Sequence, residues 1–265
     1  MKKLIQNSIL TLLISTFSTA GLAAETILIS DIDDTIKIGH IRDKIDTVKN
    51  AFKVNNIFLG MADLYHIIKD RTGAEVYYLT NAPEELMKWS HSTLLYLGDF
   101  PQGSLEIRPI KVSTKVFKAQ RLRELIERED PKNVILVGDN GEHDNTFYHD
   151  IAQEYPEVKF YTYIRAAYHF DESNALYPDQ RSFVTPFEIA DNLYQRDVIE
   201  KRDSQELLDL HLKDFMRETN VDDDGPMYIP AWLRCRGHKR SFWSIFRSTL
   251  PSKLTKKINY ICNKY

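Results

Sequence analysis

Apolar and polar positions along the chain fall into two alternating patterns. Five short, nearly continuous apolar runs, Thr26–Ser30, Glu75–Leu79, Leu105–Ile110, Val134–Val137 and Lys159–Ile164, read as strands covered on both faces. Between them the period changes to that of an amphipathic helix. "GMADLYHIIKDRTG" puts Leu64, Tyr65 and Ile68 on one face, "APEELMKWSHSTLLYLG" opens with Pro83 and two glutamates, and "STKVFKAQRLRELIERED" stripes Val116, Leu122, Leu125 and Ile126 before Pro131. Strand and helix in alternation predict an α/β domain: a parallel sheet of about five strands with helices on both faces. Beyond the fifth strand, "TPFEIADNLYQRDVIEKRD" predicts one more helix and "SQELLDLHLKDFMRET" another, capped by Ser204. "NVDDDGP" reads as a turn, because its consecutive aspartates do not match a calcium loop.

Length and composition refine this picture only in places. With 265 residues and 43% hydrophobic content the chain can build a full core. Lys2 and Lys3 precede an apolar stretch from Leu4 to Phe17 and the small residues of "STAGLAAET", which predicts a secretory signal over 1–23. The stretch is shorter than the ~20 residues of a spanning helix. The expected organisation is therefore a signal at 1–23, an α/β domain at 24–203 and a helical extension at 204–265, in an exported protein, periplasmic or secreted. An oxidising compartment would allow Cys235 and Cys262 to pair, with two free thiols as the alternative.

Charge is unevenly spread. Residues 234–265 hold nine Lys or Arg and no Asp or Glu, so the net −3 of the chain resolves into +9 there and −12 on residues 1–233. Phe242, Ile245, Phe246 and Leu250 share one helical face, and Leu254, Ile258 and Ile261 repeat the pattern among Lys253, Lys256 and Lys257. Two readings stand: an interfacial helix drawn to an anionic membrane surface, or a face packed on the domain. No nucleic acid is expected as partner of an exported chain.

The candidate chemistry sits where the strands end. Asp31, Asp33 and Asp34 follow the first strand, Thr80 and Asn81 end the second, and Asp139 and Asp144 follow the fourth. Carboxylates this crowded repel unless a cation lies between them, and Mg²⁺ is the economical choice. In that arrangement Asp31 is metal ligand and nucleophile, and Asp33 is general acid and base. Thr80 would bind a phosphoryl oxygen, and Lys118 would balance charge on the transferring group. Plainer roles compete. Asp139, Asp144 or Asn81 could cap helices, Lys115 could replace Lys118, and His143 and His149 read as surface residues.

"DIDDT", "YYLTNAP", a lysine on the next helix and "LVGDNGEHD" are similar, in order and spacing, to the four motifs of the haloacid-dehalogenase-like phosphotransferase superfamily. Within it the chain resembles the phosphatidate phosphatase catalytic domain of an actin-patch protein, through "DIDDTIK", Gly60, "TNAP", "FPQG", "GDNGEHDNTFY" and the "YIR" ending the fifth strand. It departs from that family at Ile38 and Gly39, where Ser or Thr usually follows shortly after the lysine. The resemblance implies a Rossmann-like fold, and the interval from Asp31 to Thr80 is too short for a large cap, which leaves a small or absent one. The resemblance also implies Mg²⁺-dependent phosphomonoester hydrolysis through an aspartyl phosphate, with metal ligands Asp31, Asp33, Asp139 and Asp144, substrate contacts Thr80, Asn81 and Lys118, and phosphatidate as substrate class. The alternatives are a phosphatase of soluble phosphomonoesters, and a membrane or host interaction module, which would have no use for the Asp31/Asp33 pair.

Overall fold

The structure is a computed structural model that describes residues 25–219, 224–238 and 247–264. The signal at 1–23 and the predicted apolar face at Phe242, Ile245 and Phe246 lie outside the described residues. The strands are β1 (Thr26–Ser30), β2 (Glu75–Pro83), β3 (Ser104–Arg108), β4 (Asn133–Asp139), β5 (Lys159–Arg165) and β6 (Gln180–Phe183). They form one parallel sheet in the order β3-β2-β1-β4-β5-β6. The helices are α1 (Lys44–Ala51), α2 (Met61–Thr72), α3 (Glu84–Leu97), α4 (Thr114–Glu129), α5 (Asp144–Glu154), α6 (Pro186–Gln195), α7 (Lys201–Arg217) and α8 (Ser252–Lys264).

The continuous apolar strands do what continuous runs require, burying both faces. Ile27, Ile29, Val134 and Leu136 pack with Leu122, Leu125 and Ile126 of α4 and Ile151 of α5. Leu28, Ile135 and Val137 face the larger core of α2, α6, α7 and α8. Val116, expected on the buried stripe of α4, is instead 53% exposed in its first turn, ahead of the buried Lys118.

The structure adds one strand to the expected sheet and corrects two expectations about the helices. The sheet has a sixth strand, β6, whose short "QRSF" sequence carries the polar pattern of an edge and so gives no apolar signal. The segment 186–203 is two helices rather than one, broken around Asp197, which takes a left-handed conformation at φ 58°. Ser204 does not cap α7; Glu200 does, and Ser204 lies buried within the helix.

The C-terminal residues join the main core. Phe215, Ile229, Leu233, Leu254, Ile258 and Ile261 belong to the same cluster as Leu28 and Val137. Cys235 and Cys262 form a disulfide that ties α8 to the preceding segment. Of the two readings of the tail, residues 252–264 follow the second, with their apolar face turned to the domain. Among the described residues no helix is long and apolar enough to cross a membrane.

Candidate active site

Strand order reverses between β2 and β4 on either side of β1, and a crevice opens at the carboxyl ends of these strands. The register sets Ser30 beside Val137, and the Asp31 amide donates to the Val137 carbonyl at 2.8 Å. Asp31 and Asp139 thus leave neighbouring strands side by side. Asp144 comes in from the first turn of α5, where His143 holds the capping position and leaves this carboxylate free for the site. Gly138 permits the approach, since a β-carbon there would overlap the Asp144 side chain.

One carboxylate oxygen from each of Asp31, Asp139 and Asp144 lies within 4.8 Å of the others, all buried. Lys118 reaches them from α4, its Nζ donating to Asp31 Oδ1 at 2.8 Å and to Asp144 Oδ1 at 2.5 Å. Lys115, the alternative, is exposed. Burial raises Asp31 well above the carboxylate range, and repulsion from Asp144 and Asp33 adds to it against the pull of Lys118. Burial and the charges of Asp144, Asp31 and Asp34 raise Asp139 in the same way. Lys118 is held strongly protonated: burial opposes its charge, but Asp144 and Asp31 outweigh burial.

Three carboxylates against one ammonium leave an excess of negative charge in a buried place, and Asp144 Oδ2 has no hydrogen-bond partner. An all-oxygen donor set with this charge fits a hard divalent cation such as Mg²⁺. The structure does not bring the Asp33 carboxylate into that group. Asp33 turns toward α3 and the following loop, 3.4 Å from His91 Nε2 and 3.5 Å from Lys37 Nζ. Burial would raise Asp33, but His91 and Lys37 overcome it and hold the carboxyl well below its usual range.

Thr80 is buried at the end of β2, where its hydroxyl oxygen accepts from the Ala82 amide at 3.1 Å and keeps its proton for another acceptor. Asn81 reaches Glu142 at 3.4 Å, and its Oδ1 has no partner. Asp31, Asp33, Thr80, Asn81 and Asp139 open onto one cavity of about 480 Å³. Asp34 plays a different part. It accepts from the amides of Gly39, His40 and Ile41 and from the Tyr168 hydroxyl at 2.5 Å, fixing the loop that forms one wall. Arg165, the end of "YIR", is fully buried between Phe58 and Phe183 and donates to the Thr35 carbonyl, which anchors the turn after β1. Burial pulls Arg165 down to about 9.

The sequence pattern alone does not single out His91 and Lys37 as partners of Asp33. Lys37 sits four residues beyond it within "DIDDTIK", and His91 falls between Met87 and Leu94 on the inner face of α3, where Ser90 is the other polar residue. His143 and His149 are peripheral as expected; His149 stacks on Tyr177 and pairs with Asp179.

The comparisons with known proteins fall on the same part of the chain. It is 30% identical over 154 residues to phosphatidate phosphatase APP1 of Saccharomyces cerevisiae, an alignment covering 52% of this chain and 25% of that protein. The chain therefore spans about a quarter of the length of this relative. No solved structure matches it. Residues 26–166, more than half of the chain, run from the start of β1 to just past Arg165 and so take in every carboxylate of the cavity, and over this stretch the chain belongs to the family of the phosphatidate phosphatase APP1 catalytic domain.

Proposed function

We propose that this chain is an exported, Mg²⁺-dependent phosphomonoesterase acting on a lipid phosphate such as phosphatidate, releasing diacylglycerol and phosphate. The observation that carries it is the placement of Asp31. It directly follows β1 and lines the cavity, with Lys118 bonded to its carboxylate and Asp33 two residues away. Asp31, Asp139 and Asp144 would hold the metal, which when bound supplies positive charge to the phosphoryl oxygens.

In the first step Asp31 attacks phosphorus, forming an O–P bond as the bond to the leaving oxygen breaks, and Asp33 gives its proton to that oxygen. In the second, water attacks the acyl phosphate, Asp33 takes back a proton, and phosphate leaves with Asp31 restored. His91 and Lys37 keep Asp33 ionised in the resting site; a phosphoryl dianion beside it repels that charge and favours the protonated form. Thr80 donates to a phosphoryl oxygen, and Lys118 holds Asp31 and Asp144 in place.

The apolar side chains lining the rest of the cavity support a lipid over a sugar or nucleotide phosphate. Export is supported by the Cys235–Cys262 pair together with the basic-then-apolar pattern of the first residues. The test is a panel of phosphomonoesters with and without Mg²⁺, including dispersed phosphatidate, on chain purified from an oxidising compartment. Metal-dependent phosphate release with preference for phosphatidate is expected. Turnover that survives exhaustive chelation would reject the metal, and faster turnover of soluble monoesters would replace the lipid reading.

A further inference from the structure

α1 is built inside out. Its one buried residue is the polar Asn50, while Ile45, Val48 and Phe52, at helical spacing i, i+3 and i+7 through the C-cap, are 68%, 72% and 60% exposed. α3 carries a second apolar stripe opposite its buried face. Leu86 and Trp89, one turn apart at its N-terminal end, are 58% and 68% exposed. An ordinary surface helix turns such residues inward. Two neighbouring helices that turn them outward make a patch of the kind that marks an interaction site.

This patch is continuous with the cavity. Val48, Phe52 and Leu86 are exposed to solvent and also line the space above Asp31 and Asp33. At about 480 Å³ that space holds a phosphorylated headgroup with the first part of its chains, not two long acyl chains, so a lipid bound there keeps its tails in the bilayer. At the same end of the sheet exposed Lys44, Lys49, Lys88, Lys111 and Lys115 outnumber exposed Glu85 and Glu142, a balance suited to an anionic surface.

Resting on the lipid-phosphate reading, we propose that the exposed faces of α1 and α3 dock the mouth of the cavity into an anionic lipid surface, with Ile45, Val48, Phe52, Leu86 and Trp89 entering the acyl boundary. The phosphate of a lipid lifted slightly from the surface then meets Asp31 while its chains run back along Val48, Phe52 and Leu86.

The test uses the full chain and the double variant Ile45→Ser/Trp89→Ser, two exposed positions that do not line the cavity. Cosedimentation is measured with phosphatidylcholine vesicles containing phosphatidate, beside hydrolysis of those vesicles and of p-nitrophenyl phosphate. Withdrawing two large apolar side chains should weaken vesicle partition by about tenfold or more. Vesicle hydrolysis should fall with it and p-nitrophenyl phosphate hydrolysis should not change. Equal partition of parent and variant would overturn the docking surface. So would a parent that hydrolyses p-nitrophenyl phosphate yet never sediments with vesicles, or one whose self-association, seen by sedimentation velocity, is abolished by the double variant while vesicle partition is not. Partition needs no turnover, so the two readings fail separately. A parent that sediments and is released by the substitutions, but hydrolyses nothing, would support the surface and overturn the phosphatase.

Discussion

Asp139→Asn should make the metal-free protein more stable while destroying its response to Mg²⁺. Asp139 has two carboxylate neighbours within 4.8 Å, and Lys118 is paired with Asp31 and Asp144. At 4.8 Å and an effective dielectric of ~20, each neighbour repels an ionised Asp139 by about 3.5 kcal/mol. Proton uptake by the carboxyl limits that cost, which places the gain on substitution at about 1–3 kcal/mol, or roughly 2–4 °C in Tm for each kcal/mol. Asn is isosteric and its carbonyl can go on accepting from the Gly141 amide. A carboxyl raised by folding costs stability only above its unfolded value of about 3.9. The advantage of Asn is therefore absent in acid and grows as pH rises through the raised native value. Mg²⁺ at ~100 times its Kd should stabilise the parent by about 2.7 kcal/mol and the variant by much less, closing or reversing the gap. Thermal melts of both proteins in chelator and in Mg²⁺, at acid and alkaline pH, decide it. A variant that melts below the parent in chelator at alkaline pH, or equal Mg²⁺ shifts for the two, would refute the repelling cluster.

Asp31→Asn should abolish turnover while leaving the fold intact, and Asp33→Asn should slow it by ~10²–10⁴-fold; single-turnover phosphate release on each variant is the check. Cys235→Ser/Cys262→Ser opens a loop of 27 residues' separation and should cost about 3.5 kcal/mol, read as a fall in the denaturant midpoint relative to the oxidised parent. Truncation after Pro230 removes the disulfide and the buried Leu254, Ile258 and Ile261, so hydrolysis of vesicle and soluble substrates should fall together; selective loss on vesicles would mean the segment acts in targeting after all.

The strands that frame the site were legible because parallel strands buried on both faces leave unbroken apolar runs, and their polar ends stand out against them. Lys118 is favoured over Lys115 by the family resemblance, which sets the lysine four residues before an apolar helix position, here the buried Leu122. β6 and α1 were not legible. An edge strand such as "QRSF" needs no apolar run, and α1 exposes its apolar positions, so a rule that turns apolar residues inward finds no helix there. The position of Asp33 was half legible: its place just beyond Asp31 at the cavity followed from the sequence, but its partner His91 depends on how α3 is rotated, which a period alone leaves open.

The C-terminal segment shows why charge along a sequence is a poor guide to what a tail does. Its basic residues are partly engaged in holding the fold: Lys257 donates to the carbonyls of Phe215 and Glu218, and Arg247 pairs with Asp197 at 3.0 Å. The disulfide then joins α8 to the segment carrying Trp232, whose ring stacks on His40 at 4.3 Å and lies near Tyr168. Tyr168 bonds Asp34, and Asp34 gathers the amides of Gly39, His40 and Ile41, two of which line the cavity. A continuous set of contacts thus runs from the last helix to the wall of the active site. The tail buttresses the loop that shapes the cavity, so catalysis and the tail cannot be cleanly separated by truncation. Contact with a lipid surface has to be sought instead on the face where apolar side chains are turned outward, beside the mouth of the cavity.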